Sequence, residues 1–111
     1  MPKPRVRSFF FISDLQKGDH LKIATANGKI EEIEILDPEI GDIYIKREGH
    51  HKRRGTLLGS MLGDNPKKIF TGVIVIGFRI VYLDLIEQNR GSAFTATQKV
   101  WLNGEEILSA V

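Results

Sequence analysis

Apolar and polar residues alternate along much of this chain, which is the pattern of β-strands that bury one face. In HLKIAT, Leu21 and Ile23 point to one face and Lys22 to the other. Asn27-Gly28 follows, a dipeptide that favours the positive φ angles of a tight hairpin turn. The alternation resumes in IEEIEIL and IYIK, while threonine and aromatic residues mark AFTATQKVWL as a further strand. The pattern therefore predicts several short strands joined by tight turns.

One long apolar run, IFTGVIVIGFRIVYLDLI at Ile69–Ile86, requires a choice between a membrane helix and strands. Arg79 and Asp84 interrupt it, and each costs up to about 3 kcal/mol at the centre of a bilayer, which cancels the gain from the apolar residues. β-branched residues and glycines favour strands instead. A straight strand of this length is longer than so small a domain, so we expect a buried strand that bends at Gly77 and no membrane span.

The segment GTLLGSMLGDN at residues 55–65 departs from the alternation. Its leucines and methionine have helical spacing, Thr56 is a suitable N-cap, and Gly63 before Asp-Asn-Pro is a typical stop signal. Such a helix is too short to be stable unless it docks, and a flexible connection over one end of the sheet explains the same residues. The pattern thus leaves a short helix and a loop as alternatives.

The same segment is a candidate subunit interface. Its glycines recur at every fourth position, and a face without side chains would allow another backbone to approach closely. The residues predicted to pack across the interface are Leu57, Leu58, Gly59, Met61 and Leu62.

Taken together, the elements predict one domain over residues 1–111, all-β or β-rich α+β. We expect a small antiparallel barrel or two-sheet sandwich of about six to eight strands, with one short helix or loop near 56–63.

Composition narrows the function classes only slightly. The chain has 111 residues, of which 41% are hydrophobic and 27% charged, and these are ordinary values for a globular domain. Cysteine is absent, which excludes disulfides, thiolate metal sites and cysteine nucleophiles. The apolar run Phe9–Ile12 is too short for the hydrophobic region of a signal peptide, so we expect a cytoplasmic protein.

Charge is distributed unevenly, although the net charge is only +2. Residues 1–29 hold six basic and two acidic residues, residues 30–45 hold six acidic residues and no basic one, and residues 46–54 hold five basic and one acidic residue. This order suits opposite-sign faces that bind a polyanion or a second copy of the chain. The alternative is a mixture of acids and bases paired across strands.

The densest cationic segment, KREGHHKRRG, is the candidate anion-binding site. Arginine binds phosphate through paired hydrogen bonds, and a helix beginning near Thr56 would add its N-terminal N–H groups. The segment is not a P-loop, because it has one residue too many between its glycines and lacks the lysine before Ser or Thr. Solvated surface explains such a run equally well. The candidate contact residues are Lys46, Arg47, His50, His51, Lys52, Arg53 and Arg54.

The stretch KGDHLKIATANGKIEEIEI, Lys17–Ile35, resembles the opening hairpin of SH3-like barrels of the KOW and Sm kinds. These begin with Gly-Asp or Gly before a strand and carry a glycine-containing turn before the next strand. The further glycine of the KOW pattern is missing, with Glu31 and Glu32 in that neighbourhood, and no second Sm signature follows Ile45. Members of those families commonly bind RNA or ribosomal partners, so the resemblance implies a barrel that binds RNA or a ribosomal partner.

Residue patterns for catalysis are not recognisable. Adjacent His50 and His51 would point to opposite sides of an extended chain, and no nucleophile stands with a base at a recognisable spacing. We therefore expect no enzyme activity, no cofactor and no metal. The leading hypothesis is a β-rich binding module that contacts an anionic partner, nucleic acid first, through residues 46–54. The alternatives are a homo-oligomeric assembly protein that uses residues 55–63 and a small-ligand barrel closed by residues 49–66.

Overall fold

The alternating pattern is realised as strands along nearly the whole chain. A computed structural model describes residues 8–65, 67–85 and 90–109, and within these ranges the only helical element is one 3₁₀ turn, Ile12–Asp14. The all-β prediction is confirmed. The strands are β1 Phe9–Phe11, β2 His20–Thr25, β3 Ile30–Asp37, β4 Asp42–Lys46, β5 Arg53–Met61, β6 Ile69–Thr71, β7 Val73–Val75, β8 Arg79–Asp84, β9 Arg90–Leu102 and β10 Glu105–Ser109.

Six of these strands pair in a closed ring. The order β2-β3-β4-β5-β8-β9 is antiparallel at every step, and β9 pairs back onto β2. β9 can close the ring because it is long: its first half pairs with β8 and its second half with β2. The predicted hairpin is confirmed as β2 and β3, but of the dipeptide Asn27-Gly28 only Gly28 has a positive φ, of 81°. This ring of pairings is that of a small β-barrel.

Apolar side chains from all six strands of the ring pack in the interior of the barrel. Phe94 of β9 is fully buried, and its ring lies 5.5 Å from that of Tyr82. These apolar side chains form the core cluster of the barrel. The other buried residues of the ring are Leu21, Ile23, Ile33, Ile35, Ile43, Ile45, Leu57, Ile80 and Val100.

The remaining strands extend this ring. β6 pairs with β5, β10 pairs with β9, and β1 and β7 form a separate two-stranded ribbon. The buried hydroxyl of Ser60 ties β5 to this ribbon: it donates a hydrogen bond to the carbonyl of Val73 (2.9 Å) and accepts one from the N–H of Val75 (3.1 Å). Ser60 therefore supplies two hydrogen bonds where the regular ladder is interrupted.

The short helix or loop predicted near residues 56–63 is wrong, because β5 runs through to Met61. A repeat of four residues fits one face of a strand as well as one face of a helix, since four is a multiple of two. A bulge between Leu57 and Gly59 adds to the irregular spacing. The expected close approach does occur: a Cβ at Gly55 would lie 2.6 Å from the carbonyl oxygen of Leu83, and one at Gly59 would lie 2.1 Å from that of Phe70.

The long apolar run is broken into β6, β7 and β8, although its last residue, Ile86, lies outside the described residues. Gly72 and Gly77 stand at the breaks with φ of 76° and 84°, which confirms the bend at Gly77. Two breaks where one bend was expected give three strands in place of one, which contributes to the total of ten strands in the described chain instead of six to eight. Among the described residues no helix is long and apolar enough to cross a membrane.

Candidate functional site

The loop between β4 and β5 lies over one end of the barrel and forms one wall of a polar cleft there. The cleft has a volume of about 380 Å³. Strands from opposite sides of the ring contribute its floor, and the loop contributes its rim. The lining residues are Lys29, Glu31, Ile45, Arg47, Glu48, His50, His51, Arg53, Tyr82, Asp84 and Ser92.

Glu31 is the most buried charged residue of the cleft, with 1% of its side chain exposed. It occupies an inward-facing position of β3, in line with Ile33 and Ile35. Its carboxylate accepts a hydrogen bond from Nε of Arg47 (2.7 Å) and another from the backbone N–H of Glu48 (3.3 Å). Glu31 thereby anchors the first residues of the β4–β5 loop to the barrel.

The guanidinium of Arg47 is held on several sides at once. Besides its bond to Glu31, it lies over the ring of Phe94 at 5.1 Å from the centroid, within the range of a cation–π contact. Burial by itself lowers the pKa of Arg47, but hydrogen bonds to Glu31 and Tyr82 outweigh this effect and raise the pKa above its ordinary value. Arg47 is therefore a fixed positive charge in the floor of the cleft.

A second arginine–carboxylate pair lies in the same cleft. Arg53, the first residue of β5, donates a hydrogen bond from Nη1 to Asp84 at 2.7 Å. The Asp84 side chain is only 8% exposed, whereas that of Arg53 is 41% exposed. Desolvating such pairs consumes most of the energy that their attraction supplies, so they contribute little net stability to the fold. Two such pairs therefore lie side by side in the cleft.

The polar groups at the rim of the cleft differ from those of the floor in being more exposed and in having no ion pairs among the residues described. Lys29, His50 and His51 are exposed, and Ser92 is partly buried. None of these four side chains takes part in an ion pair or side-chain hydrogen bond within the ranges that the structure describes. The rim can therefore contact a ligand without first breaking a protein contact. The described part of the chain has no group of three or more His, Asp or Glu residues positioned to hold a metal ion.

The seven predicted contact residues are divided between the cleft and the outer face. Arg47, His50, His51 and Arg53 line the cleft. The remaining three, Lys46, Lys52 and Arg54, lie on the outer face of the barrel or at its edge.

Two of the three outer-face cations are paired with acids of β3 and β4. Arg54 forms a two-pronged ion pair with Asp42, with donor–acceptor distances of 3.0 and 2.5 Å. Lys52 contacts Glu34 at 3.2 Å. With the Glu31–Arg47 pair in the cleft, these contacts confirm the cross-strand mixture of acids and bases, because the acidic segment and the basic segment become spatial neighbours. The helix N-terminus expected near Thr56 is absent, since that residue lies within β5.

The candidate interface residues are not on one surface. Leu57 and Gly59 are buried inside the chain's own fold, Leu58 and Met61 are partly buried, and Leu62 is 42% exposed. An oligomer through residues 55–63 stays a prediction, and only Leu58, Met61 and Leu62 offer side chains to it.

Sequence reasoning missed the acidic half of the cleft, although signals were present. The alternation that places Ile33 and Ile35 inward also places Glu31 inward. The same rule, applied to β8, places Asp84 on the face of the buried Ile80 and Tyr82. A carboxylate at an inward position requires a hydrogen-bonding or cationic partner, and the sequence has lysines and arginines within about 30 residues of both acids. Lys29, Glu48 and Ser92 carry no such signal.

No known protein helps to assign this site. Comparison of the chain with protein-family models, with curated proteins and with solved structures finds no match.

Proposed function

We propose that this chain is a binding module without catalytic activity, and that its barrel-end cleft binds a small anionic ligand. The observation that carries the proposal is the convergence of Arg47 and Arg53 with Lys29, His50 and His51 around one cleft. Four of these five residues were predicted to contact an anion. The fold places them beside a lysine from a different hairpin.

The size and the lining of the cleft support a small ligand. Its volume of about 380 Å³ falls in the lower range of ligand pockets. The floor offers fixed donors and acceptors, namely the guanidinium of Arg47, the hydroxyl of Tyr82 and the carboxylate of Asp84. Such a floor suits hydroxyl groups, while Lys29 and the imidazole N–H groups of the rim suit one phosphate or carboxylate group. A sugar phosphate and a nucleoside monophosphate share this chemistry.

A long polyanion is less well matched to the cleft. The arginines of the floor already have carboxylate partners, so phosphate groups would have to compete with Glu31 and Asp84 for them. The acids also repel a second and a third negative charge. A ligand with one anionic group and a polar body avoids this cost.

The test is ligand binding measured by isothermal titration calorimetry and by the shift of the thermal unfolding midpoint. The probes are ribose 5-phosphate, adenosine monophosphate, inorganic phosphate and uncharged adenosine. We expect a phosphorylated compound to bind and to raise the unfolding midpoint, and adenosine to bind about 10-fold more weakly or not at all. Ribose 5-phosphate and adenosine monophosphate distinguish the two ligand sources.

Variants locate the binding. Lys29→Ala and the double change His50→Ala/His51→Ala remove rim groups without touching the buried pairs, and each is expected to weaken binding about 10-fold. Lys67→Ala, an exposed lysine away from the cleft, is the matched control and leaves affinity unchanged. If no phosphorylated probe binds at millimolar concentration, or if the rim variants bind as well as the control, the proposal is wrong.

A further inference from the structure

The outer face of the barrel carries a second set of chemically distinct side chains, away from the cleft. Strand register places Lys22 of β2 directly beside Trp101 of β9 on one side and beside Glu32 of β3 on the other. Glu32 in turn lies beside Lys46 of β4. One row of side chains thus crosses four strands, a span of about 14 Å at the usual strand spacing.

A second row runs parallel to the first. His20 lies beside Glu34, and Glu34 lies beside Tyr44. Two shallow hollows follow these rows: one of about 470 Å³ is bounded by Lys22, Trp101 and His20, and the other, of about 120 Å³, is bounded by Tyr44 and again by His20. His20 borders both hollows, so they are neighbours on this face, and the two together are called the groove below.

The two aromatic rings at the ends of the groove are partly exposed, and each has a lysine close to its ring. Nζ of Lys52 lies over the ring of Tyr44 at 4.4 Å from its centroid, and Nζ of Lys99 lies over that of Trp101 at 5.7 Å. A base that stacks on either of these ring faces must displace the lysine that covers it. Partly exposed aromatic rings among cations are the combination with which proteins bind single-stranded nucleic acid, because bases stack on the rings while the cations contact phosphates.

Acidic and basic residues are present in the groove in nearly equal numbers. The groove therefore differs from a surface that binds nucleic acid by positive charge alone. Glu34 pairs with Lys52, and Glu106 of β10 pairs with Lys99 at 3.0 Å. Glu32 contacts His20 at 3.3 Å. Lys22 and Lys46 have no ion pair in the part of the chain that the structure describes. Two lysines are thus available for phosphate groups, and stacking must supply most of the affinity.

We propose that a short single-stranded nucleic acid lies across the outer face of β9, β2, β3 and β4, with bases stacked on Trp101 and Tyr44 and phosphates near Lys22 and Lys46. This site is separate from the cleft and from the ligand proposed to bind there. It uses two of the predicted basic residues, Lys46 and Lys52, but in a different role from the loop contact expected from the sequence. Duplex is a poor ligand, because its bases are already stacked on one another.

The chain offers a direct test, since Trp101 is its only tryptophan. A base stacked on the indole quenches its fluorescence. The protein is titrated with single-stranded RNA and single-stranded DNA of about 8 nucleotides, within the site size of single-strand-binding barrels, and with the matching duplex. We expect both single strands to quench the fluorescence and the duplex to leave it unchanged. The RNA and DNA arms show whether the ribose 2′-hydroxyl contributes.

Variants then separate stacking from simple charge attraction. Tyr44→Ala and Trp101→Ala are each expected to weaken binding of a labelled strand about 10-fold, measured by fluorescence anisotropy. Phe70→Ala removes an aromatic side chain that is 48% exposed elsewhere on the barrel, and it is the matched control. The unfolding midpoint of each variant shows whether it is folded.

Three results would overturn this proposal: no binding of either strand at low salt, binding without quenching, and equal affinity of Tyr44→Ala and Phe70→Ala. The double change His50→Ala/His51→Ala in the cleft is expected to leave strand binding unaltered. Failure of the groove and failure of the cleft are therefore distinguishable.

Discussion

At the scale of single residues, Thr97 is the least satisfied buried polar group. It is fully buried, and its hydroxyl has no hydrogen-bond partner among the described residues. A buried hydroxyl without a partner costs about 1 to 3 kcal/mol, whereas a methyl group in the same place costs nothing of this kind. Thr97→Val keeps the branched shape that suits a strand.

We therefore expect Thr97→Val to stabilise the fold by about 1 kcal/mol, measured by urea unfolding monitored through circular dichroism. Thr95→Val serves as the control, because the Thr95 hydroxyl already donates a hydrogen bond to Asn27 at 3.0 Å and its loss brings no gain. A Thr97→Val protein less stable than the wild type would contradict the expectation.

Asp42 supplies a pH-dependent contribution to stability at the same scale. Its hydrogen bond with Arg54 lowers the pKa of Asp42 below its ordinary value, although partial burial acts in the opposite direction. Because the pKa is lower in the folded state, the stabilisation is fully present above the ordinary pKa of about 3.9. It is lost as the pH falls through the folded value.

Asp42→Asn should consequently lose less stability than the wild type when the pH is lowered from 5 to below 3, roughly the window of the shifted carboxylate. Urea midpoints measured across this range provide the comparison. Asp14→Asn is the control, since Asp14 is exposed and has no ion pair in the described ranges. Equal acid sensitivity of the wild type and Asp42→Asn would show that the ion pair contributes nothing in solution.

Residue by residue, the sequence is more informative about which side a residue faces than about which residue it meets. The inward position of Glu31 follows from the alternation of β3 alone. Its partner does not, because Arg47 lies 16 positions away, beyond a turn and a further strand. Only the register of β3 on β4 brings the two together, and strand register depends on the closed barrel.

At the scale of elements, β5 is the strand whose sequence has the tightest steric requirement. The backbone of β6 crosses Gly59 so closely that a Cβ there would lie 2.1 Å from the carbonyl oxygen of Phe70 and 2.9 Å from Cα of Thr71. Both contacts are with backbone, so a larger residue can be accommodated only if β6 moves away. Moving β6 breaks its pairing with Gly59, Ser60 and Met61.

Gly59→Ala is expected to destabilise the fold by about 2 to 4 kcal/mol, the range of overpacked or strained sites. Gly91→Ala is the control, because Gly91 of β9 does not have a positive φ and has open space where its Cβ would lie. That variant should change the stability by less than about 0.5 kcal/mol. Thermal unfolding of the two variants tests the difference, and a Gly59→Ala protein as stable as Gly91→Ala would refute the close approach.

The elements that the sequence predicts well are strands with one buried face and one solvent-exposed face. β2, β3 and β4 alternate strictly, and Gly28, predicted to lie in the turn between β2 and β3, has the positive φ that such a turn requires. The strand β5 is harder to predict from the sequence, because its glycines recur at every fourth residue. That spacing places them on one face of either a helix or a strand. The fact that decides between them is the backbone of β6 beside Gly59, which lies about a dozen residues further along the chain.

At the scale of the whole molecule, charge that is segregated along the sequence becomes interleaved in space. The acidic segment 30–45 forms β3 and β4, and the basic segment 46–54 folds back beside them. Three ion pairs join the two segments: Glu31 with Arg47, Glu34 with Lys52, and Asp42 with Arg54. Most of the positive charge of residues 46–54 is therefore neutralised by neighbouring acids, and the net charge of the chain is only +2. We do not expect such a surface to attract polyanions strongly.

This arrangement predicts the salt dependence of nucleic-acid binding. Each phosphate contact on a single strand contributes about −0.7 to the slope of log K against log salt concentration. Contacts from only Lys22 and Lys46 give a slope near −1.4, whereas contacts from the five lysines and arginines of residues 46–54 would give about −3.5. The slope therefore measures how many cations the ion pairs leave available.

We expect a measured slope near −1.4 for a single-stranded oligonucleotide, and a slope close to zero for the double variant Lys22→Ala/Lys46→Ala, by anisotropy titration at several salt concentrations. Lys67→Ala/Lys68→Ala removes the same charge from an exposed loop and should leave the slope unchanged. A steep slope that survives in Lys22→Ala/Lys46→Ala would mean that the arginines exchange their carboxylate partners for phosphate. The basic loop, and not the groove, would then be the nucleic-acid contact.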